Sequence, residues 1–261
     1  MTPEQQRAID TFLAAYAPKP EFPAILLAGS LAHGFAKPTS DVDILLVATE
    51  AEFERRVLER KLTFSLWDVC EYEGGYIDCK VVSIASLQQV RERGSDPARY
   101  AFKDARILHS RLPELGALLD AVAQFPVQEQ DARRHRFLCQ LLAWKWYLSQ
   151  GLDKANPYLI TLAVQKLVLF ACRVVLNENE LLYPFHKWLL EETRRAPRQP
   201  EGFMALLDAL MAAPTMAAAQ ALSDRVFAFA GRAEKETDWP NQFMRDSELN
   251  WLEHEAPVDD L

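Results

Sequence analysis

The chain is short of cysteine and of positive charge, and it lacks an unbroken apolar run. Its four cysteines, Cys70, Cys79, Cys139 and Cys172, are scattered without CxxC spacing. That pattern excludes a zinc site or a disulfide framework built on them. Lysine and arginine number 29 against 37 aspartates and glutamates, a net charge of −8. This acidic balance argues against a broad electrostatic footprint for nucleic acid and leaves room only for a local basic groove. It fits a small substrate better, and a cationic one in particular. The longest apolar stretch, Leu159 to Leu176, is interrupted by Gln165, Lys166 and Arg173, and reads as too polar to span a membrane. Met1-Thr2-Pro3-Glu4 shows neither the basic flank nor the apolar core of a signal peptide. A cytoplasmic protein without membrane attachment is therefore expected. No internal repeat and no low-complexity segment is visible.

What is present is ordinary core material. Hydrophobic residues make up 49% and charged residues 25%, enough for a soluble chain with a sizeable core. The length suits one large domain or two small ones. Thr2 to Gln5 predicts a capping box, with Pro3 at the first helical position, and a helix to about Tyr16. Strands are predicted near residues 24–28 and 42–48, over 66–72, and over 76–82 after the Gly74-Gly75 turn. Helices are predicted over 50–61 and from Ser83. The 42–48 strand is apolar on both faces after Asp43, so a central place in a sheet is expected. Beyond Leu112-Pro113 helical spacing takes over, at 129–150, 157–178, 185–195, 203–212 and 215–236, punctuated by prolines. The fold class is α+β: a small mixed sheet with flanking helices over residues 1–125, then an all-α bundle over 126–261. The Trp-rich stretch Ala143-Trp144-Lys145-Trp146-Tyr147 reads as core or as an interface, which leaves a homodimer open.

The chemistry is concentrated between the first strands. The run Ala24-Ile25-Leu26-Leu27-Ala28 leads into Gly29-Ser30, and ten residues on come Asp41-Val42-Asp43. In a strand, residues two apart share a face, so Asp41 and Asp43 project together about 6–7 Å apart while Val42 enters the core. Tyr76, Asp78 and Lys80 share one face of the later strand by the same rule. If the two strands are neighbours, three carboxylates converge. Clustered carboxylates repel, and persist only where cations or shared protons compensate. An oxygen-only site favours magnesium or manganese over zinc. A pair of such cations sits about 4 Å apart. The third carboxylate could then ligate the second ion or act as general base. Asp68, Glu71 and Glu73 are nearby alternatives to Asp78. Gly29 permits close backbone approach to a phosphate, and Ser30 adds a hydroxyl donor.

The stretch Gly29-Ser30-Leu31-Ala32-His33-Gly34-Phe35-Ala36-Lys37-Pro38-Thr39-Ser40-Asp41-Val42-Asp43 resembles the signature of the polymerase-beta-type nucleotidyltransferase superfamily. Within it, the chain is most similar to the bacterial antibiotic-modifying (aminoglycoside and lincosamide) and minimal nucleotidyltransferases. The resemblance covers roughly residues 24–82. It implies a nucleotidyltransferase fold for the N-terminal half and a cleft-closing helical C-terminal half. It implies that Gly29 and Ser30 hold the triphosphate and that Asp41, Asp43 and Asp78 are catalytic and bind two magnesium ions. Tyr183-Pro184-Phe185-His186-Lys187-Trp188-Leu189 is similar to a segment of some relatives. Lys187 is then a nucleotide-binding candidate, with a solvated lysine as the plain reading. His33 reads as a loop residue. Lys37-Pro38 departs from many relatives, since Pro38 stiffens the spacer.

The expected activity is transfer of a nucleotide, AMP first, from an NTP to a hydroxyl of a small aminoglycoside-like molecule, releasing pyrophosphate. The alternatives are nucleotidylation of a partner protein, in the manner of an antitoxin, or of tRNA. The lack of a basic, aromatic-interleaved segment disfavours nucleic acid.

Overall fold

The computed structural model describes residues 1–252, and the chain divides into two compact units, Met1–Gln124 and Phe125–Leu261. The α+β class, with strands first and helices after, is what the sequence led us to expect. The first unit holds β1 (Ala24–Leu27), β2 (Val42–Ala48), β3 (Thr63–Leu66), β4 (Ile77–Ser83) and β5 (Arg106–Ser110) in one sheet of order β3-β4-β2-β1-β5. Only β2 and β4 run parallel; the other pairings are antiparallel. The helices are α1 (Pro3–Tyr16), α2 (Gly29–His33), α3 (Glu50–Leu58), α4 (Ile84–Arg93), α5 (Asp96–Tyr100) and α6 (Leu115–Val122).

Alternation along the strands sorts the core into two layers. On one face Ile25, Leu27, Val42, Ile44, Leu46, Ile77 and Cys79 pack with Ile9 and Phe12 of α1 and with Phe22. On the other, Ala24, Leu26, Leu45 and Val47 pack with Leu87 of α4 and with Leu115 and Leu119 of α6. Strand β2 is central, and Asp43 is its one position that is not buried. Such a strand is held by about 1.5–3 kcal/mol of transfer free energy for each fully buried Leu or Ile. A rigid apolar strand thus carries one polar position, and that position is an acid.

The capping box of α1 forms as expected, with Thr2 and Gln5 bonded reciprocally. Other boundaries differ. The third strand covers Thr63–Leu66 rather than 66–72, because Phe64 and Leu66 point into the core beside α1 while residues 67–76 make the connection to β4. Helix α3 stops at Leu58, and Arg60 adopts a left-handed φ of 55° just beyond it. Strand β5 had no visible signal, since it lies on the sheet edge with three of its five residues exposed and none buried.

In the second unit the described residues form α7 (Gln130–Asp153), α8 (Pro157–Glu178), α9 (Leu189–Arg195), α10 (Phe203–Ala212), α11 (Met216–Phe229) and α12 (Trp239–Asp246), with no strand among them. Leu141, Leu148, Leu167, Ala171, Val174, Leu207, Leu222 and Val226 make its core. By length and composition alone α8 would pass for a membrane span, contrary to the reading from Gln165, Lys166 and Arg173. Half of its apolar window is buried within the protein, and Ala163, Leu167, Ala171 and Val174 are part of the helical core. The predicted 215–236 helix ends at Phe229, two residues before Gly231 turns left-handed at φ 62°.

Candidate active site

Parallel pairing of β2 with β4 sets Asp43 directly beside Asp78. Paired residues face the same side of a sheet, so the two carboxylates stand next to each other at the polar end of the face that α4 and α6 cover elsewhere. Asp41 lies just outside β2, where the Val42 amide donates to the Tyr76 carbonyl at 3.0 Å. The pull of its carboxylate on the Tyr76 phenol, burial, and the charges of Asp41, Asp78 and Asp43 together push that phenol up to about 12. All three aspartates therefore act on one hydroxyl. Lys80 Nζ lies 3.9 Å from Asp78 Oδ2.

Gly29 meets Asp43 from the other side. Its φ is +61°, and a Cβ there would sit 1.7 Å from Asp43 Oδ2. Only a residue without a side chain leaves room for that carboxylate. Ser30 follows, 6% exposed, and its hydroxyl is buried with no hydrogen-bond partner. A buried polar atom left unpaired is destabilising, so this hydroxyl is an orphan within the fold. Between these groups lies a cavity of about 140 Å³, lined by Gly29, His33, Asp43, Asp78 and Lys80 among others. His33 is not in a loop. It ends α2, its Nδ1 lies 3.3 Å from Asp104 Oδ2, and its ring packs 4.6 Å from that of Tyr100.

Several supporting residues escaped the sequence reading. Gln5 Nε2 donates to the carbonyls of Lys37 (3.1 Å) and Ser40 (3.2 Å), and Tyr72 also donates to Ser40 (2.8 Å). These bonds fix the loop that delivers Asp41. Trp67 stacks on Tyr76 with ring centroids 4.4 Å apart. The alternation of polar and apolar residues could have signalled the facing of Tyr76; nothing local announces the long-range bonds of Gln5. Lys187 belongs to the helical unit, in the turn His186–Trp188, with its ammonium 5.2 Å from the centre of the Trp188 ring.

A hard divalent cation suits part of this arrangement. Asp43 and Asp78 offer neighbouring carboxylate oxygens, the donors that magnesium and manganese prefer. Among the described residues no group of three or more His, Cys, Asp or Glu side chains is placed to hold one ion. Asp41 lies one residue before β2, beside Tyr76.

No protein-family model matches the chain, and no curated protein matches it in sequence. Among solved structures, the chain is similar to a nucleotidyltransferase-like protein from Exiguobacterium sibiricum 255-15. The two are 14% identical, the match covers 93% of this chain and 80% of that one, and the TM-score is 0.47.

Proposed function

We propose that the chain is a metal-dependent nucleotidyltransferase that moves a nucleoside monophosphate, AMP in the first instance, from an NTP to a hydroxyl of a small molecule. The observation that carries this reading is the abutment of Gly29 on Asp43, with Asp78 in register beside it. Gly29 and a pair of carboxylates line one small cavity, an arrangement that suits charge-neutralised phosphoryl chemistry.

In this scheme Gly29 and Ser30 receive the β- and γ-phosphates. Asp43 and Asp78, joined by Asp41 only if that side chain turns toward them, would hold magnesium, or manganese in its place, which would offset phosphate charge and lower the pKa of the acceptor hydroxyl. The acceptor oxygen attacks the α-phosphorus and the bond to the bridging oxygen breaks, so pyrophosphate leaves with that electron pair. The hydroxyl proton passes to a carboxylate oxygen of Asp78. The net charge of −8 favours a cationic acceptor of the aminoglycoside type.

The test is pyrophosphate release with ATP, GTP, CTP and UTP, each with magnesium, across aminoglycosides and lincosamides. Acceptor-dependent release that disappears in Asp43→Ala is the expected result. Full activity of Asp43→Ala overturns the mechanism. Magnesium-dependent NTP binding without release would move the acceptor to a protein or an RNA.

A further inference from the structure

We infer that Trp67, stacked on Tyr76 at the open edge of the sheet, is the platform on which a cationic, hydroxyl-bearing acceptor lies. The inference rests on the transferase reading and adds the acceptor's place and class. Strand register arranges the site face in rows. Ser65 of β3 pairs with Asp78 of β4, which pairs with Asp43 of β2. The next row toward the starts of β2 and β4 holds Trp67, Tyr76 and Asp41, tied by the Trp67–Tyr76 ring stack and by the backbone bond from Val42 to Tyr76. The sheet order β3-β4-β2-β1 places Gly29-Ser30, just past β1, on one side of the carboxylates and Trp67 on the other.

In-line displacement needs the attacking oxygen opposite the departing one. With pyrophosphate at Gly29-Ser30, the acceptor must approach from the β3 side. There the structure offers Ser65, exposed, and Trp67, 63% exposed. So large an indole contributes little to the core while it stands in water. Its ring is nonetheless held flat at 22° to that of Tyr76, so its outer face is preset. An aromatic face on the same side of the sheet as Asp78, one strand away, attracts a cation twice over, through the ring quadrupole and through charge. A neutral nucleobase gains only the stacking.

The experiment uses the full chain and the variants Trp67→Ala and Trp67→Phe, with kanamycin as the cationic hydroxylated probe and sucrose as the neutral one. Binding is measured by calorimetry without NTP or magnesium, and ATP-magnesium affinity is measured separately on the same proteins. Kanamycin affinity should fall about tenfold in Trp67→Ala and stay within about twofold in Trp67→Phe. Sucrose should bind none of the three, and ATP affinity should not change. Wild-type kanamycin binding that Trp67→Ala leaves intact overturns the inference. So does a loss of ATP affinity in its place, which would put the nucleobase on the indole, and so does the absence of kanamycin binding to the wild type. The transferase reading fails separately: no pyrophosphate release by the wild type would sink it while the calorimetric result on Trp67 still stands.

Discussion

At Gly29 the smallest side chain of the chain faces one of its acids, and the consequence can be isolated. Gly29 opens α2 and Gly34 caps its end, and both have positive φ, +61° and +75°. A Cβ at Gly34 meets nothing within 4 Å, whereas one at Gly29 overlaps Asp43. Gly34→Ala should therefore cost only the left-handed backbone penalty, about 1–2 kcal/mol. Gly29→Ala should cost more in thermal denaturation and should also lower kcat about a hundredfold, because a reacting group displaced by about 1 Å loses that much. Equal effects of the two substitutions on kcat would remove Asp43 from the argument. Ser30 makes the complementary case. Its buried hydroxyl has no partner, so Ser30→Ala removes an unsatisfied polar group and should stabilise the fold by about 1 kcal/mol. The same change should raise KM for the NTP. A variant that is both less stable and fully active would show the hydroxyl to be structural.

At the scale of elements, α1 is more than a core helix. Its third residue, Gln5, bonds back to Thr2 and forward to Lys37 and Ser40. Gln5→Ala breaks the cap reciprocity and two loop bonds together. We expect a loss of about 1–3 kcal/mol in urea denaturation and a fall in kcat through the position of Asp41. A loss of stability with unchanged kcat would confine Gln5 to a structural role. Helix α3 supplies a pH-dependent element. Glu52 accepts from Arg55 at 2.8 Å and from Arg56 at 2.6 Å, and these guanidinium bonds, that of Arg55 first, hold its carboxyl down to about 2 from the usual 4.5. A lowered folded-state pKa gives stability that is present above pH 4.5 and lost as pH falls toward 2. Surface screening limits the effect to roughly 0.5–1 kcal/mol. Denaturant midpoints at pH 5 and pH 3 should separate more for the wild type than for Glu52→Gln; equal separations would deny the pair any part in acid sensitivity.

These elements also mark how far the sequence could be read. The alternation in β2 and β4 told which residues share a face, because a strand's period is local. It did not tell that the two strands are parallel neighbours in the register that sets Asp43 beside Asp78, since β3 lies between them in sequence and pairing is a long-range choice. The carboxylate spacing was therefore legible, and the convergence was conditional on that pairing. Trp67 was hidden for a related reason: a strand drawn through 66–72 put it near that strand's start, whereas β3 ends at Leu66 and leaves it just past the strand. Gln5 announced its bond to Thr2, three residues away, and nothing of its bonds to residues more than thirty positions on. The helices of the second unit were readable from period and proline. Helix α12 was not, since its eight residues bury only Phe243.

For the whole molecule, under the proposed reaction, the net charge of −8 bears on how an NTP and a cationic acceptor would arrive. A cationic acceptor approaching an acidic protein is drawn in over distances set by the Debye length, about 10 Å at 0.1 M salt and 3 Å at 1 M. Raising KCl from 0.05 to 0.5 M should then lower kcat/KM for a cationic acceptor several-fold. At saturating acceptor, kcat should change little, because contacts inside a desolvated site are screened far less than approach through water. The NTP, being an anion, meets the opposite field, so its KM should not rise in parallel. Two substrates of one reaction would thus respond to the same salt in different directions. A general loss of structure or of metal would instead depress both together. Steady-state kinetics with each substrate varied in turn reads the difference directly. An acceptor whose kcat/KM is flat or rises with KCl is not recognised as a cation, and the acidic surface must then serve solubility rather than selection.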